Sequence, residues 1–450
     1  MKPTPPYSRV IQLELNEISK VAIDRLIARG KLPAFAALYQ TGTYRTTTSE
    51  TRYEHLEPWI QWITAHTGKS FQEHGIFHLS NAVHLKHPQI WETLSTHGIE
   101  SCIVGSMNAT RGQTERGFFF PDPWSKDGVT YPHHFQPLWN LISHKVQSHT
   151  NTPIRFKDLY DGFRIGRQFQ LTLSLYRKIA TQFITSKTNP ITRWKWPGLF
   201  DLFLFEIFKY LLNNRSYRYY TLFLNGVAHY QHHYWRHFHR ELFDPTISTP
   251  DCHAEHDPMT YGYEIYDRII QNLLPLARSP DTLIIIASGL SQEPFTQKEH
   301  EGGMNYYRLN HHAHWVQRLG LEGYRVLPMM SRDWQLEAPS LEKLDHAKTL
   351  LSGLHVQHTP LFNVTQNSPN SLFIETRVTK HLTSDALIMN TQHQPVGAFH
   401  AHFHNIAVKS GHHTGEGVLW LSEKDEGLAQ PLPLTEIYPL TLHQLGITAV

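Results

Sequence analysis

Cysteine is almost missing. Two residues, Cys102 and Cys252, stand in a chain of 450. They are too few for a disulfide framework and fit a reducing, cytoplasmic compartment. Charge of one sign is also missing: 41 Lys+Arg against 39 Asp+Glu leaves a net +2 with His neutral. That balance makes no electrostatic case for nucleic acid or an anionic membrane. Long hydrophobic runs are absent too. The most apolar stretch, Trp196 to Leu212, is broken by Asp201, Glu206 and Lys209. It is short for a membrane span and reads as a buried or half-buried helix, the alternative being an interfacial one. Met1 to Ser8 lacks the charged-then-apolar pattern of a signal peptide. There is no internal repeat, no low-complexity tract and no long Gly/Ser/Pro linker. At 40% hydrophobic and 18% charged, the composition excludes a disordered or collagen-like chain.

Histidine is abundant: 33 residues. It is the commonest metal ligand and titrates near neutrality, so only spacing can separate ligands from surface and core residues. Continuous apolar runs at Val10–Leu15, Glu100–Gly105, Tyr219–Leu224 and Thr282–Ala287 alternate with helical patterns at Ser19–Arg29, Gln89–Thr96, Val227–His239 and Tyr261–Leu274. Short apolar strands between helices predict a mostly parallel, doubly wound α/β sheet buried on both faces. Strand signals vanish between about Pro132 and Arg218, which predicts a helical insertion or cap on a single domain spanning 1–450. Leu361 to Val408 reads as several short strands with turns. A last helix is expected over Thr435–Leu445.

In doubly wound sheets, ligands sit at the carboxyl ends of the strands. The residues following strands therefore supply the candidates: Glu14-Leu15-Asn16-Glu17, Glu57 with Trp59 and Trp62, Asn225 with His229 and His232-His233, Ser291-Gln292, and Gly411-His412-His413. Four stretches carry a resemblance to a known family. They are Ile23-Asp24-Arg25-Leu26 through Gly30-Lys31-Leu32-Pro33-Ala34-Phe35; Trp62–Gly68 with Glu73-His74-Gly75-Ile76-Phe77; His232-His233-Tyr234-Trp235; and Gly411–Leu419 with Glu436-Ile437-Tyr438-Pro439 through Leu445-Gly446-Ile447. In this order they resemble the alkaline phosphatase superfamily, nearest its type I phosphodiesterase/nucleotide pyrophosphatase branch.

The resemblance implies an alkaline-phosphatase-like fold and a two-zinc hydrolase, with His232 and His413 at two of the ligand positions. The sequence departs from that pattern elsewhere. Asn16 stands where the first ligand Asp is expected, Glu57 or Pro58 where the Ser/Thr nucleophile is expected, Ser288-Gly289 in place of an Asp-His pair, and Ala228 in place of the Asp preceding His232. The expectation is therefore a remodelled site with one divalent cation, zinc or manganese, held by His229, His232 and His413. Three neutral imidazoles with one open position suit such an ion. Glu57 is expected to activate water or an acceptor, or else to be only an acidic first-turn residue. Asn16, Asn225 and Gln292 are expected to orient the substrate, with Trp62 lining the pocket; Asn225 otherwise reads as a cap of the next helix, and Ser291-Gln292 as a turn. Glu14 and Glu17 each read as a solvated loop carboxylate, or one of them faces the site. His400, His402 and His404 alternate as on one strand face. His311, His312 and His314 read as a solvated helix face, and His253 and His256 as incidental loop residues.

The function expected is hydrolysis or transfer at a phosphoester or related anionic ester. The substrate is small or glycan-linked, with no nucleotide cofactor. The alternatives are a relative that binds a phosphorylated or glycan-like ligand without turnover, and a histidine-rich metal buffer.

Overall fold

The fold was read from a computed structural model, which describes residues 7–448 except 51, 53–54, 80, 115, 126–127, 148–155, 248, 250–251, 254 and 329–331. The chain opens with β1 (Arg9–Leu15), α1 (Lys20–Ala28), α2 (Pro33–Thr41), β2 (Thr43–Thr48), α3 (Pro58–Thr67), α4 (Phe71–His74), α5 (Ile90–Thr96), β3 (Ser101–Val104) and β4 (Phe118–Phe120). Four helices follow, α6 (Gln136–Gln147), α7 (Phe156–Gln168), α8 (Leu173–Thr188) and α9 (Trp196–Asn214). Then come β5 (Tyr219–Leu224), α10 (Gly226–Phe238), α11 (Pro258–Leu273), β6 (Thr282–Ala287) and β7 (Ser291–Pro294).

A second lobe contains β8 (Met304–Leu309), α12 (His312–Arg318), β9 (Arg325–Pro328), β10 (Trp334–Glu337), α13 (Leu341–Ser352), β11 (His355–Val356), β12 (Thr359–Pro360), β13 (Phe362–Ser368), β14 (Ser371–Thr376), β15 (Leu387–Met389), β16 (Pro395–Ala398), α14 (Phe399–His402) and β17 (Phe403–Lys409). The chain finishes with β18 (Gly411–Thr414), β19 (Glu416–Leu421), β20 (Leu432–Pro433) and α15 (Ile437–Gln444).

The central sheet has the order β20-β2-β19-β6-β1-β5-β3-β4. Its β6, β1, β5, β3 and β4 are mutually parallel, and β19 enters antiparallel to β6 and β2. Every residue of β5 and β6 is buried, as continuous apolar strands in a two-sided sheet must be. Alternation along β1 sends Ile11, Leu13 and Leu15 into a core with α1, α2, α9, α10 and α11, and Val10 into an opposite core with α3, α5 and α15. The architecture is the doubly wound, mostly parallel α/β sheet that the strand spacing predicts. The register Leu15↔Leu224 and Glu14↔Ala287 brings the carboxyl ends of β1, β5 and β6 to one edge.

Between β4 and β5 the described residues form helices and no strand. The apolar Trp196–Leu212 stretch lies in α9, which buries Leu199, Asp201, Leu204, Phe205, Ile207, Phe208 and Leu211. Among the described residues no helix is long and apolar enough to cross a membrane. The second lobe hangs on the antiparallel β8–β17 ribbon and has its own core, including Trp315, Trp334, Phe362, Leu372 and Phe399. Here one expectation fails. His400 and His402 lie on the short helix α14, and only His404 lies on β17, so no strand face carries all three. Phe399 and Phe403, four residues apart, stack with centroids 4.7 Å apart in the lobe core, a spacing that one helical turn supplies.

Candidate active site

The site is built around the residue pair that leaves β1. Asn16 and Glu17 are both 1% exposed. Glu17 has φ +58°, in the left-handed region that a non-glycine residue enters only at a cost. The turn is held by the Asn16 N–H donating to the Leu224 carbonyl at 3.0 Å and by the Gln231 side-chain amide donating to the Glu17 carbonyl. It swings the Glu17 side chain off the strand and across the carboxyl edge of the sheet.

The Glu17 carboxylate is the hub. Its Oε1 accepts from Asn16 Nδ2 at 2.9 Å, and its Oε2 accepts from Gln292 Nε2. The same Oε2 lies 3.2 Å from His232 Nε2 and 3.2 Å from His413 Nε2. His232 comes from α10, while His413 comes from β18, where it pairs with Gln292 of β7. The Ser410 N–H donates to the His232 carbonyl at 2.8 Å and fastens this ribbon to the helix.

One ligand atom from each of Glu17, His232 and His413 lies within 4.8 Å of the others, so the three could hold a metal ion. Bonds of about 2.0–2.2 Å at tetrahedral angles put ligand atoms about 3.3 Å apart, close to the 3.2 Å from Glu17 Oε2 to each imidazole. Two imidazoles and one carboxylate are also a donor set that leaves a coordination position open. The cluster therefore fits one cation. Burial pushes His232 down to about 4 against the pull of Glu17, which leaves its imidazole neutral at pH 7. For His413 burial also opposes charge, but the Glu17 and Glu57 carboxylates win and raise it. Burial works against the Glu17 carboxylate too, but the two imidazoles hold it well below its usual range.

His229 is not part of this group. It sits one helical turn before His233, with ring centroids 4.9 Å apart, and burial pushes it down to about 4. In the group that could share an ion, the Glu17 carboxylate stands in place of the expected third imidazole. Trp62 is fully buried and cannot line a pocket. Its Nε1 donates to Asn16 Oδ1 at 2.9 Å. Asn16 spends its amide hydrogens on Glu17 and on Asn225 Oδ1, the latter at 2.7 Å, so it positions Glu17 and offers a substrate no donor. Gln292 is 1% exposed, likewise turned inward on Glu17 and the Ala228 carbonyl.

Asn225 sits at the N-cap of α10 without a side-chain cap bond; that role belongs to Asp201 of α9, which accepts from the Asn225 and Gly226 N–H groups. Burial pushes Asp201 up to about 7. The Ser288 hydroxyl, where the resemblance puts a ligand pair, donates to the Leu290 carbonyl.

Glu57 is at the N-cap of α3, half-buried, with no capping bond from its side chain. Burial raises its pKa; the positive charges of His413 and Lys409 oppose the rise, and Glu17 and Asp333 add to it. Glu57 is thus close enough to His413 and Glu17 for their charges to act on it. Lys409, whose charge also acts on His232 and His413, ends the β8–β17 ribbon. The register pairs Arg308 with His404 and Met304 with Lys409, so alternation sets Tyr306, Arg308, His404 and Lys409 on one face, with Tyr307, Leu309 and Phe403 in the lobe core. Arg332 and Lys409 lie 4.5 and 5.6 Å from the Tyr306 ring centroid. Sequence reasoning missed Lys409, whose charge acts on Glu57, His232 and His413. The only local hint was Lys409, four residues before His413.

A doubly wound α/β sheet with a cation-competent carboxylate–imidazole cluster at its carboxyl edge is the class that fold and site define. No family model matches the sequence, and no curated protein matches it. Among solved structures, the chain is similar to phosphonoacetate hydrolase from Sinorhizobium meliloti in complex with phosphonoacetate, at 13% identity and a TM-score of 0.48, covering 99% of this chain and 97% of that one. It is also similar to murine and human ectonucleotide pyrophosphatase/phosphodiesterase 5, each at 11% identity and a TM-score of 0.43, covering 98% of this chain and 96% of theirs.

Proposed function

We propose that this protein is a hydrolase of a small anionic ester, in the phosphoester class that its sequence resembles. One divalent cation would be held by Glu17, His232 and His413. The observation that carries the reading is the convergence of these three groups with Glu57 at the carboxyl edge of the sheet. Two imidazoles and a carboxylate suit zinc better than manganese. When bound, the cation supplies Lewis-acid polarisation of the ester oxygen.

The chain supplies the rest. Glu57, made more basic by burial, takes the proton of the attacking water at its carboxylate. Lys409, whose charge already acts on Glu57 and His413, favours an anionic substrate over a neutral one. Asn16, Gln292 and Trp62 position Glu17, and Asn225 positions Asn16. The two cysteines are both free and buried, and with them goes the expectation of a reducing, cytoplasmic setting.

Metal analysis of the purified, tag-free chain tests this reading, with His232→Ala and His413→Ala beside it. The expected result is about one ion per chain, lost in both variants, with turnover of phosphodiesters or phosphonates that Glu57→Gln lowers by about 10²–10⁴-fold. A parent protein with neither ion nor turnover overturns it.

A second reading is favoured by one observation. Asn16 and Ser288, where a second cation would bind in the resembled family, both spend their polar hydrogens inside the protein. A relative that binds a phosphorylated or glycan-like ligand without turnover needs no second cation. Saturable phosphate binding with no hydrolysis of any ester tried would select it.

A further inference from the structure

The net charge of +2 conceals a strong asymmetry. Residues 132–195 hold ten Lys+Arg and two Asp+Glu, a local net of +8, which leaves the remainder of the chain at −6. This block is the helical insertion between β4 and β5, remote in sequence from every residue of the cluster around Glu17.

The insertion also leaves large apolar side chains in water. Leu173 is 86% exposed, Ile184 64%, Tyr160 66% and Phe163 48%. On α8 they follow a pattern. At 3.6 residues per turn, Leu173, Ala180 and Ile184 fall within about 40° of one another, and Arg177 and Lys187 flank them on either side. All five are exposed, while Leu175, Gln182, Phe183 and Ser186 occupy the buried face. On α7 the exposed Tyr160 and Phe163 are likewise accompanied by the exposed Arg164 and Arg167.

An apolar stripe bordered by cations is the pattern of a helix lying in a lipid headgroup layer, with its apolar side chains in the acyl boundary and its cations among the phosphates. We propose that the outer face of α7 and α8 docks this protein on an anionic membrane surface. A second copy is a poor occupant, because two faces of the same sign repel. A nucleic acid would use the charge but not the exposed Leu173 and Ile184.

Co-sedimentation of the full chain with lipid vesicles tests this. Vesicles of phosphatidylcholine with about 40% phosphatidylglycerol should carry the protein down, and pure phosphatidylcholine should not. Raising salt from about 0.1 to 0.5 M should lower the partition coefficient about ten-fold, since the screening length shortens with salt. The double variants Leu173→Glu/Ile184→Glu and Arg177→Glu/Lys187→Glu should each lose about ten-fold or more. Their substituted side chains are exposed, so circular dichroism and cation content should match the parent. The proposal fails if the parent stays in solution with anionic vesicles or binds both vesicle types equally. It also fails if the Leu173→Glu/Ile184→Glu variant binds like the parent while a DNA or RNA oligonucleotide strips the protein from the vesicles, which would assign the face to nucleic acid.

Discussion

Two carboxylates three residues apart, Glu14 and Glu17, each meet histidine, and their fates differ. Glu14 lies within β1 and points to the face covered by α3, α5 and α15. It is fully buried, with Oε1 2.8 Å from His66 Nε2 and accepting from Gln12 Nε2 at 3.2 Å; Gln12 in turn accepts from Thr441 at 3.1 Å. Glu17 lies past the strand end. Its histidine partners come from α10 and β18 and are 25% and 10% exposed. The difference teaches that residue type does not make a site here. A strand-interior carboxylate becomes a sealed polar pair in the core, whereas one carried past the strand by a left-handed turn reaches the edge where a ligand can approach.

Four measurements can break or sharpen that contrast. The largest effect is expected from Glu17→Ala, which should abolish cation binding and lower hydrolysis about 10³-fold or more, beyond the about 10–100-fold typical of an outer-shell partner. Metal analysis and steady-state kinetics read it. An unchanged ion content would remove Glu17 from the ligand set.

Glu14→Ala should act on stability instead. Stripping one partner from a buried pair costs about 3–5 kcal/mol, read from denaturant unfolding, whereas Glu14→Leu/His66→Leu should recover most of it. A double variant as unstable as the single one would mean that the pair does more than satisfy itself.

The third measurement is thermal unfolding against pH. Burial pushes His74, His229 and His232 to about 4. The unfolded imidazole titrates near 6.5, so their stabilisation is complete above that value and is lost as pH falls from about 6.5 toward 4. A fall in Tm of about 5 °C or more over that window is expected. His413 has the opposite sign: its raised pKa adds stability below about 6.5 that disappears as pH rises through the raised value. His413→Gln should flatten that upper limb and leave the acid limb in place.

The smallest effect is expected from Trp62→Phe. It keeps most of the packing and removes the hydrogen bond to Asn16 Oδ1. About 1 kcal/mol of stability should go, and kcat should fall several-fold with KM unchanged. A raised KM instead would return Trp62 to the substrate-binding role that its place in the sequence suggested.

Much of the fold was legible in the chain. Tyr219–Leu224 and Thr282–Ala287 have the same bounds in the sequence reading and in the structure, because a strand buried on both faces must be apolar at every position and stops where that run stops. His232 and His413 were picked out as residues following strands, and the structure brings both to Glu17, His232 from within α10 and His413 from within β18. His229 misled because helical spacing brings it near His232 in sequence, while its own ring turns to His233. Overall net charge misled about the surface, because an average over the whole chain cancels the basic block at 132–195 against an acidic remainder.

Local chemistry thus determined the doubly wound sheet, the helical stretch between β4 and β5, and a short list of polar residues at strand ends. These follow from hydrophobic periodicity, which acts within a few residues. Only the tertiary structure decided which of those residues meet. The choice of Glu17 over Glu14 rests on one backbone dihedral, and the meeting of His232 with His413 on a ribbon that joins positions 181 residues apart. Lys409 acts on Glu57, His232 and His413 only because the β8–β17 ribbon, which carries a lobe with its own core, ends beside β18. Contacts of that range are set by packing the whole chain, and no local pattern encodes them.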